Sequence, residues 1–312
     1  MKKNEKNGYE SCTGCAVCVL SCPVWAQTHD LMMTNAGRAK ALQAGAAPED
    51  IRESLEACLL CGSCAPVCPS GVDTLTLTAS LRAGLGRKAV PAAPGSASFP
   101  ASGLKLFIPG PALRSEGRLL ARTAAALEKA GFSVSPDDAL SALGADVDAG
   151  LAPSKEAVAA ALACGAGAAA FVSGEGFLLR YLRTWFPGVK AIGIGEAVLS
   201  AGGRKALKRG DFYVVDARAF NADQARLVKF YDSVRKSAGC SMSTTLQRAA
   251  MPAGPTLAQK SRLPGNFDAA AQARWLLGKA GSPARVVAES AEDMQALRAA
   301  GAASVLHVSE LL

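Results

Sequence analysis

The sequence predicts an α+β chain of several domains. A small cysteine-bearing helical domain is expected over residues 1–85 and a linker over 86–103. A duplicated α/β domain follows, with one repeat over 104–205 and a second over 206–312. Three observations carry this reading. Eight of the ten cysteines fall within the first 68 residues. The run Gly86 to Ser102 holds three prolines, two glycines and three serines, the composition of a connecting segment. From Leu104 onward short apolar runs alternate with helical periodicity, which predicts a largely parallel sheet covered by helices. With 312 residues, 50% hydrophobic and 19% charged, the chain is long and apolar enough for more than one core and is not disordered.

Taken in order, Arg38 to Leu55 reads as a helical connector with a loop around Gly45 and Pro48. Leu104–Ile108 reads as a strand, Arg114–Ala130 as a helix stopped by Gly131, and Phe132–Val134 as a short strand. Ser154 caps a helix running to Cys164, with Gly165 ending it. Ala168–Val172 is a strand, Phe177–Phe186 a helix and Ala191–Ile194 a strand. The second round begins with a strand at Phe212–Val215 and a helix over Asp223–Ser237. After a loop with three prolines over Met251–Asn266 comes a helix over Phe267–Lys279. A strand over Arg285–Ala288, a helix over Ala291–Ala300 and a strand over Ser304–Val308 complete it. The endings match: Ile194-Gly195-Glu196-Ala197-Val198-Leu199 against Val308-Ser309-Glu310-Leu311-Leu312, which suggests a duplicated unit of about 100 residues.

The cysteines form two copies of one motif. Cys12, Cys15, Cys18 and Cys22, followed by Pro23, have the spacing C-x2-C-x2-C-x3-C-P. Cys58, Cys61, Cys64 and Cys68, followed by Pro69, repeat it. This is the bacterial ferredoxin spacing for a 4Fe-4S cubane, in which the fourth cysteine of each run serves the other cluster. The expected ligand sets are Cys12, Cys15, Cys18 and Cys68 for cluster one, and Cys58, Cys61, Cys64 and Cys22 for cluster two. Two complete copies, each with its proline, weigh against zinc-type pairs or unliganded thiols. Gly14 and Gly62 are expected to permit close backbone approach. Cys164 and Cys240 stand apart from any motif and read as small buried hydrophobes. His29 and His307 are isolated, and the Gly-rich stretches Gly165-Ala166-Gly167 and Gly193-Ile194-Gly195 do not make a nucleotide fingerprint.

Lys plus Arg is 34 and Asp plus Glu is 26, a formal +8. Eight thiolates and two oxidised cubane cores would bring this to roughly +4. The basic residues are dispersed and accompany no aromatic run, which argues against a nucleic-acid partner. The longest uncharged stretch, Ala157 to Gly174, is eighteen residues broken by two glycines, so no transmembrane segment is expected. Nothing at the N-terminus reads as secretory, and a cytoplasmic location is expected.

Over residues 9 to 85 the paired motifs resemble an α-helical ferredoxin domain. Thr34-Asn35-Ala36-Gly37-Arg38 is similar to the stretch before the helical insert in glycolate oxidase iron–sulfur subunits, and Ser70-Gly71-Val72-Asp73 after the second motif is typical of them. The wider family includes iron–sulfur subunits of lactate utilisation and anaerobic glycerol-3-phosphate dehydrogenase, and the heterodisulfide reductase C-type subunit. The C-terminal part resembles the paired cysteine-rich CCG domains of that family. The resemblance would place their cysteines near Leu143-Gly144-Ala145, Gly174–Phe177, Pro252-Ala253-Gly254 and Glu289–Glu292, and none of these places holds one. What it implies is a non-catalytic electron-transfer subunit with two 4Fe-4S clusters. Electrons would pass between a flavoprotein dehydrogenase of the FAD-linked 2-hydroxyacid type and a further redox partner. The FAD would sit on the partner only, and any membrane association would be peripheral and through a partner. A heterodisulfide-reductase-like C subunit of a disulfide-reducing or electron-bifurcating complex is the alternative. The α/β repeats, without ligands, are expected to serve as a docking platform.

Overall fold

The computed structural model describes residues 8–85, 105–134, 142–143, 146, 151, 153–163, 170–174, 176–186, 188–245, 248–256, 259, 263–265, 267–281 and 283–312. The expected linker and Cys164 lie outside the described residues.

The N-terminal part is built from short helices. The connector expected over 38–55 is two helices, α1 (Asn35–Gln43) and α2 (Arg52–Ala57). Thr34 caps α1, its hydroxyl accepting from the Gly37 N–H at 3.2 Å. Gly45, at φ 92°, turns the chain after α1. Helix α3 (Thr74–Gly84) is capped by Asp73, whose carboxylate accepts from the Thr76 N–H.

The rest is a parallel-sheet structure in two rounds. Strands β1 (Lys105–Ile108), β2 (Phe132–Val134), β3 (Ala170–Ser173) and β4 (Ala191–Gly193) form one sheet in the order β2-β1-β3-β4. Strands β5 (Phe212–Val214), β6 (Ser241–Met242), β7 (Val286–Ala288) and β8 (Val305–His307) form the other in the order β6-β5-β7-β8. Every pairing among these strands is parallel. The two strand orders are equivalent.

Helices α4 (Gly117–Glu128), α5 (Lys155–Ala163), α6 (Gly176–Trp185) and α7 (Ile194–Ser200) accompany the first sheet. Helices α8 (Ala217–Ala222), α9 (Gln224–Ala238), α10 (Ala269–Lys279) and α11 (Ala291–Ala299) accompany the second. The structure departs from the expected elements in three places. The helix expected over 114–130 is broken at Ser115-Glu116, where the Ser115 hydroxyl donates back to the Ala112 carbonyl at 2.7 Å and closes the first turn. Ile194 opens α7 instead of ending a strand. Helix α8 and the two-residue strand β6 have no strong local signal; Asp216 caps α8 by accepting from the Arg218 N–H at 2.9 Å.

One apolar core runs through the molecule. It contains Phe107 of β1, Val172 of β3, Tyr213 and Val214 of β5 and Phe220 of α8, and also Val24, Ala57, Leu59 and Cys61 from the cysteine motifs. Leu106 and Ile108, on the other face of β1, join Leu178, Leu179 and Leu182 of α6 in a second cluster. The cysteine-bearing part is thus packed into the same core as the sheets. No helix among the described residues is long and apolar enough to cross a membrane.

Candidate metal centre

The two motifs fold into the same backbone shape. The residues on either side of the second cysteine are left-handed in both: Gly14 and Ala16 at φ 76° and 58°, Leu60 and Gly62 at φ 48° and 76°. Gly14 and Gly62 therefore occupy different places in the repeat, before the cysteine in one motif and after it in the other. Ala16 and Leu60 hold a conformation that costs a side-chain-bearing residue about 1 kcal/mol or more. That two such residues adopt it at related positions shows that the motif geometry overrides local preference. In the second motif this geometry brings the backbone N–H groups of Leu60 and Ser63 to the Cys58 and Cys61 thiols, and just after the first motif the Trp25 N–H meets the Cys22 thiol. N–H donors directed at thiolates are what a negatively charged cluster requires.

Cysteines of both motifs come together in one pocket. Cys58, Cys61, Cys64 and Cys22 line a single pocket together with Arg38. Cys18 also touches this pocket, but its thiol is raised by burial and then by the charges of Cys68, Cys12 and Cys15. Cys61 is buried, whereas Cys15 is exposed. Among the described residues no three His, Cys, Asp or Glu side chains converge as a single metal ion requires. A cubane makes a different demand, because each thiolate binds its own iron and the sulfurs stand apart around the core.

Two buried cations stand near the second motif. Arg38 of α1 and Arg82 of α3 are both buried. The Arg82 Nε donates to the Leu55 carbonyl at 2.6 Å, and its Nη2 to the carbonyls of Glu56 at 3.0 Å and Cys58 at 2.6 Å. Burial pushes the Cys22 thiol up to about 12 and raises Cys64 strongly. Burial would raise Cys58 as well, but Arg38 and Arg82 outweigh it and hold that thiol below its usual value. The pocket thus favours negative charge at one corner despite its apolar walls. Residues with these properties fit a group that binds thiolates and carries net negative charge.

The second motif is also held from the far end of the chain. Asn221 of α8 donates through Nδ2 to the carbonyls of Cys61 at 2.9 Å and Ala250 at 2.8 Å, and its Oδ1 accepts from the Ala250 N–H at 3.0 Å. Ser63 donates to the Ala250 carbonyl at 2.6 Å. Gln259 donates to the Leu59 carbonyl at 2.9 Å and accepts from Arg218 at 3.2 Å. A Cβ on Gly62 would stand 3.1 Å from both the Asn221 Cβ and a Leu75 methyl, so this turn is in close contact on two sides. Arg180 of α6 pairs with Asp73, the cap of α3. The first motif is held locally: Gln43 and Lys40 of α1 donate to the Cys12 carbonyl at 2.9 Å and 3.1 Å.

A second polar centre lies where the two sheets meet. Glu289, directly after β7, is buried and accepts from the Tyr213 hydroxyl at 2.6 Å, the Tyr231 hydroxyl at 2.5 Å and the Asp216 N–H at 2.8 Å. Burial pushes its carboxyl up to about 7 against those hydrogen bonds. Gly174, after β3, lines the same small pocket, so two of the places where the resemblance would put cysteines adjoin one another and hold other residues. A Cβ on Gly195 would overlap the Glu289 carboxyl, which is why a glycine stands there. His307 is buried, and its Nε2 lies 3.0 Å from the Glu289 carbonyl. Burial pushes His307 down to about 4, the state of a structural neutral imidazole. Cys240 is buried in the core, as expected.

Residues 8–72 match the 4Fe-4S dicluster domain family. No curated protein and no solved structure matches the chain. The N-terminal part is therefore a ferredoxin-like 4Fe-4S domain, and it gives the chain an iron–sulfur electron-transfer role.

Proposed function

We propose that the chain carries two 4Fe-4S clusters and relays electrons between a flavoprotein dehydrogenase and a further acceptor, without a catalytic site of its own. A bound cubane supplies one-electron transfer with no change in ligation. Cys58, Cys61, Cys64 and Cys22 would hold one, and Cys12, Cys15, Cys18 and Cys68 the other. The observation that carries this is that Cys22 of the first motif lines one pocket with Cys58, Cys61 and Cys64 of the second, although the two motifs are 35 residues apart. The Leu60, Ser63 and Trp25 N–H groups and the Arg38 and Arg82 guanidinium groups offset thiolate charge in a water-poor pocket. Exposed Cys15 makes the first set the side nearer to a partner, and the second set lies under the sheets.

The partner fitting the resemblance is an FAD-linked 2-hydroxyacid dehydrogenase, with the flavin on that chain. The heterodisulfide-reductase-type reading differs in the partner and not in these residues. The domain division at 85 and 205 and a cytoplasmic location belong to the same proposal.

Iron and sulfide analysis of anaerobically purified protein tests the cluster count. About eight irons per chain are expected. Cys22→Ser and Cys58→Ser should disturb one electron paramagnetic resonance signal, and Cys15→Ser and Cys68→Ser the other. A content near four or near twelve overturns the proposal, as does a grouping of Cys22 with Cys15.

A further inference from the structure

We propose that Arg38 sets the reduction potential of the cluster held by Cys22, Cys58, Cys61 and Cys64, and leaves the other cluster untouched. This rests on the two-cluster reading above. Arg38 is 2% exposed and lines the pocket that these four cysteines share. Its Nη1 donates to the carbonyls of Met33 at 3.3 Å and Ser54 at 3.0 Å and to the Ser54 hydroxyl at 3.3 Å. These acceptors are all neutral. Its Nε has no hydrogen-bond partner, and no carboxylate pairs with it among the described residues. The guanidinium also interacts with the Cys58 thiol and the Tyr9 hydroxyl.

A buried cation without a counter-charge is costly, because desolvation is not repaid. The charges that stabilise Arg38 are those of Cys58, Tyr9, Cys22 and Cys64, three of them cysteines of this one set. Cys18 of the other set also lines this pocket, but what raises its thiol is burial and then the charges of Cys68, Cys12 and Cys15. The pocket's negative charge is therefore the counter-ion that Arg38 needs, and the interaction grows as that charge grows. Adding one electron from an external reductant takes a four-thiolate cubane from about −2 to about −3 with no bond made or broken. A fixed positive charge at the pocket wall favours the reduced state, so Arg38 raises the potential there. Neutralising it must lower that potential.

The test is a redox titration of the loaded, full-length protein, followed by electron paramagnetic resonance, with dithionite as reductant. The cluster whose signal changes in Cys58→Ser identifies the second set. Arg38→Met is expected to reduce its reduced-to-oxidised ratio at least tenfold at fixed potential, a downward shift of about 59 mV for one electron. The other cluster stays at its wild-type potential. Arg38→Lys, which keeps the charge and loses the planar fork, is expected to restore most of the shift. Should Arg38→Met not load, Arg38→Gln is the neutral variant to titrate. Unchanged potentials in the neutral variant, an equal shift in both clusters, or an equal shift in the Lys variant would each overturn the inference while the two-cluster reading stands. A wild-type protein without two signals overturns that reading itself.

Discussion

Asn221 is 160 residues from the carbonyl it holds in the second cysteine motif, and its removal gives a direct measure of how far the sheets support that motif. In Asn221→Ala four hydrogen bonds disappear, one of them a long contact to the Ser63 hydroxyl. The Ala250 carbonyl keeps the Ser63 hydroxyl, so it is not stranded. The Cys61 carbonyl and the Ala250 N–H lose the partners described above in a buried place. A buried polar group left unsatisfied costs about 1–3 kcal/mol, so the variant should be destabilised by about 3 kcal/mol. The effect should fall on one cluster as well as on global stability, because the Cys61 carbonyl lies in the ligand loop itself. Denaturant unfolding of the loaded protein measures the first quantity. The rate of iron loss to an excess of chelator, followed for each signal, measures the second, and the Cys22–Cys58–Cys61–Cys64 set should release iron several-fold faster. Asn221→Asp, which can still accept from the Ala250 N–H, should recover part of the stability and still release iron faster. A variant within 0.5 kcal/mol of wild type, a change that surface positions show, with unaltered release from both sets, would refute the claim that α8 holds the motif.

Two further outcomes follow from buried groups outside the cysteine motifs. Cys240→Ala should leave iron content and both signals unchanged, since its thiol is packed in the core and raised by burial; loss of iron would reveal a site that the geometry does not show. Glu289 binds its proton more tightly in the fold, with a carboxyl at about 7 against 4.5, so its contribution to stability is greatest at low pH and is lost as pH rises through that window. Glu289→Gln removes this dependence. Relative to wild type, the stability of the variant should climb by about 1.4 kcal/mol per pH unit between 4.5 and 7. The constant penalty from turning an amide toward the Asp216 N–H cancels in the slope, and the neighbouring Tyr213, Tyr231 and Asp216 are common to both proteins. Parallel stability curves from urea unfolding across that range would show that Glu289 stays ionised.

The 4Fe-4S dicluster domain was legible because cluster chemistry imposes the cysteine spacing and leaves few other reasons for it. The strands were legible as short apolar runs. The pocket's charges were not. Arg38 stands in a helix of mixed sequence, Asn-Ala-Gly-Arg-Ala-Lys-Ala-Leu-Gln, where an arginine reads as a surface residue and only the tertiary packing of α2 and α3 buries it. Ala16 and Leu60 carry no left-handed preference, so the turn that directs N–H groups to sulfur is set by the ligands and not by local propensity. Asn221 and Gln259 lie in segments with no periodicity that would mark them.

These unread residues change what the α/β part is for. A ligand-free platform joined through a Pro-rich connector would be free to dock partners and to move away from the clusters. Leu59, Cys61 and Phe220 instead share one core, and the carbonyls of Leu59 and Cys61 take their hydrogen bonds from Gln259 and Asn221. The second motif is thus held by residues more than 150 positions away. Removing the sheets would uncover Leu59 and Leu60, both nearly inaccessible, and admit water to the pocket of Arg38. Water weakens the attraction between that guanidinium and the thiolates. On the proposed two-cluster reading, docking and cluster support would be one role: the elements that keep Cys61 buried would also carry the surface a partner meets, whereas the first motif, with Cys15 exposed, is held by α1.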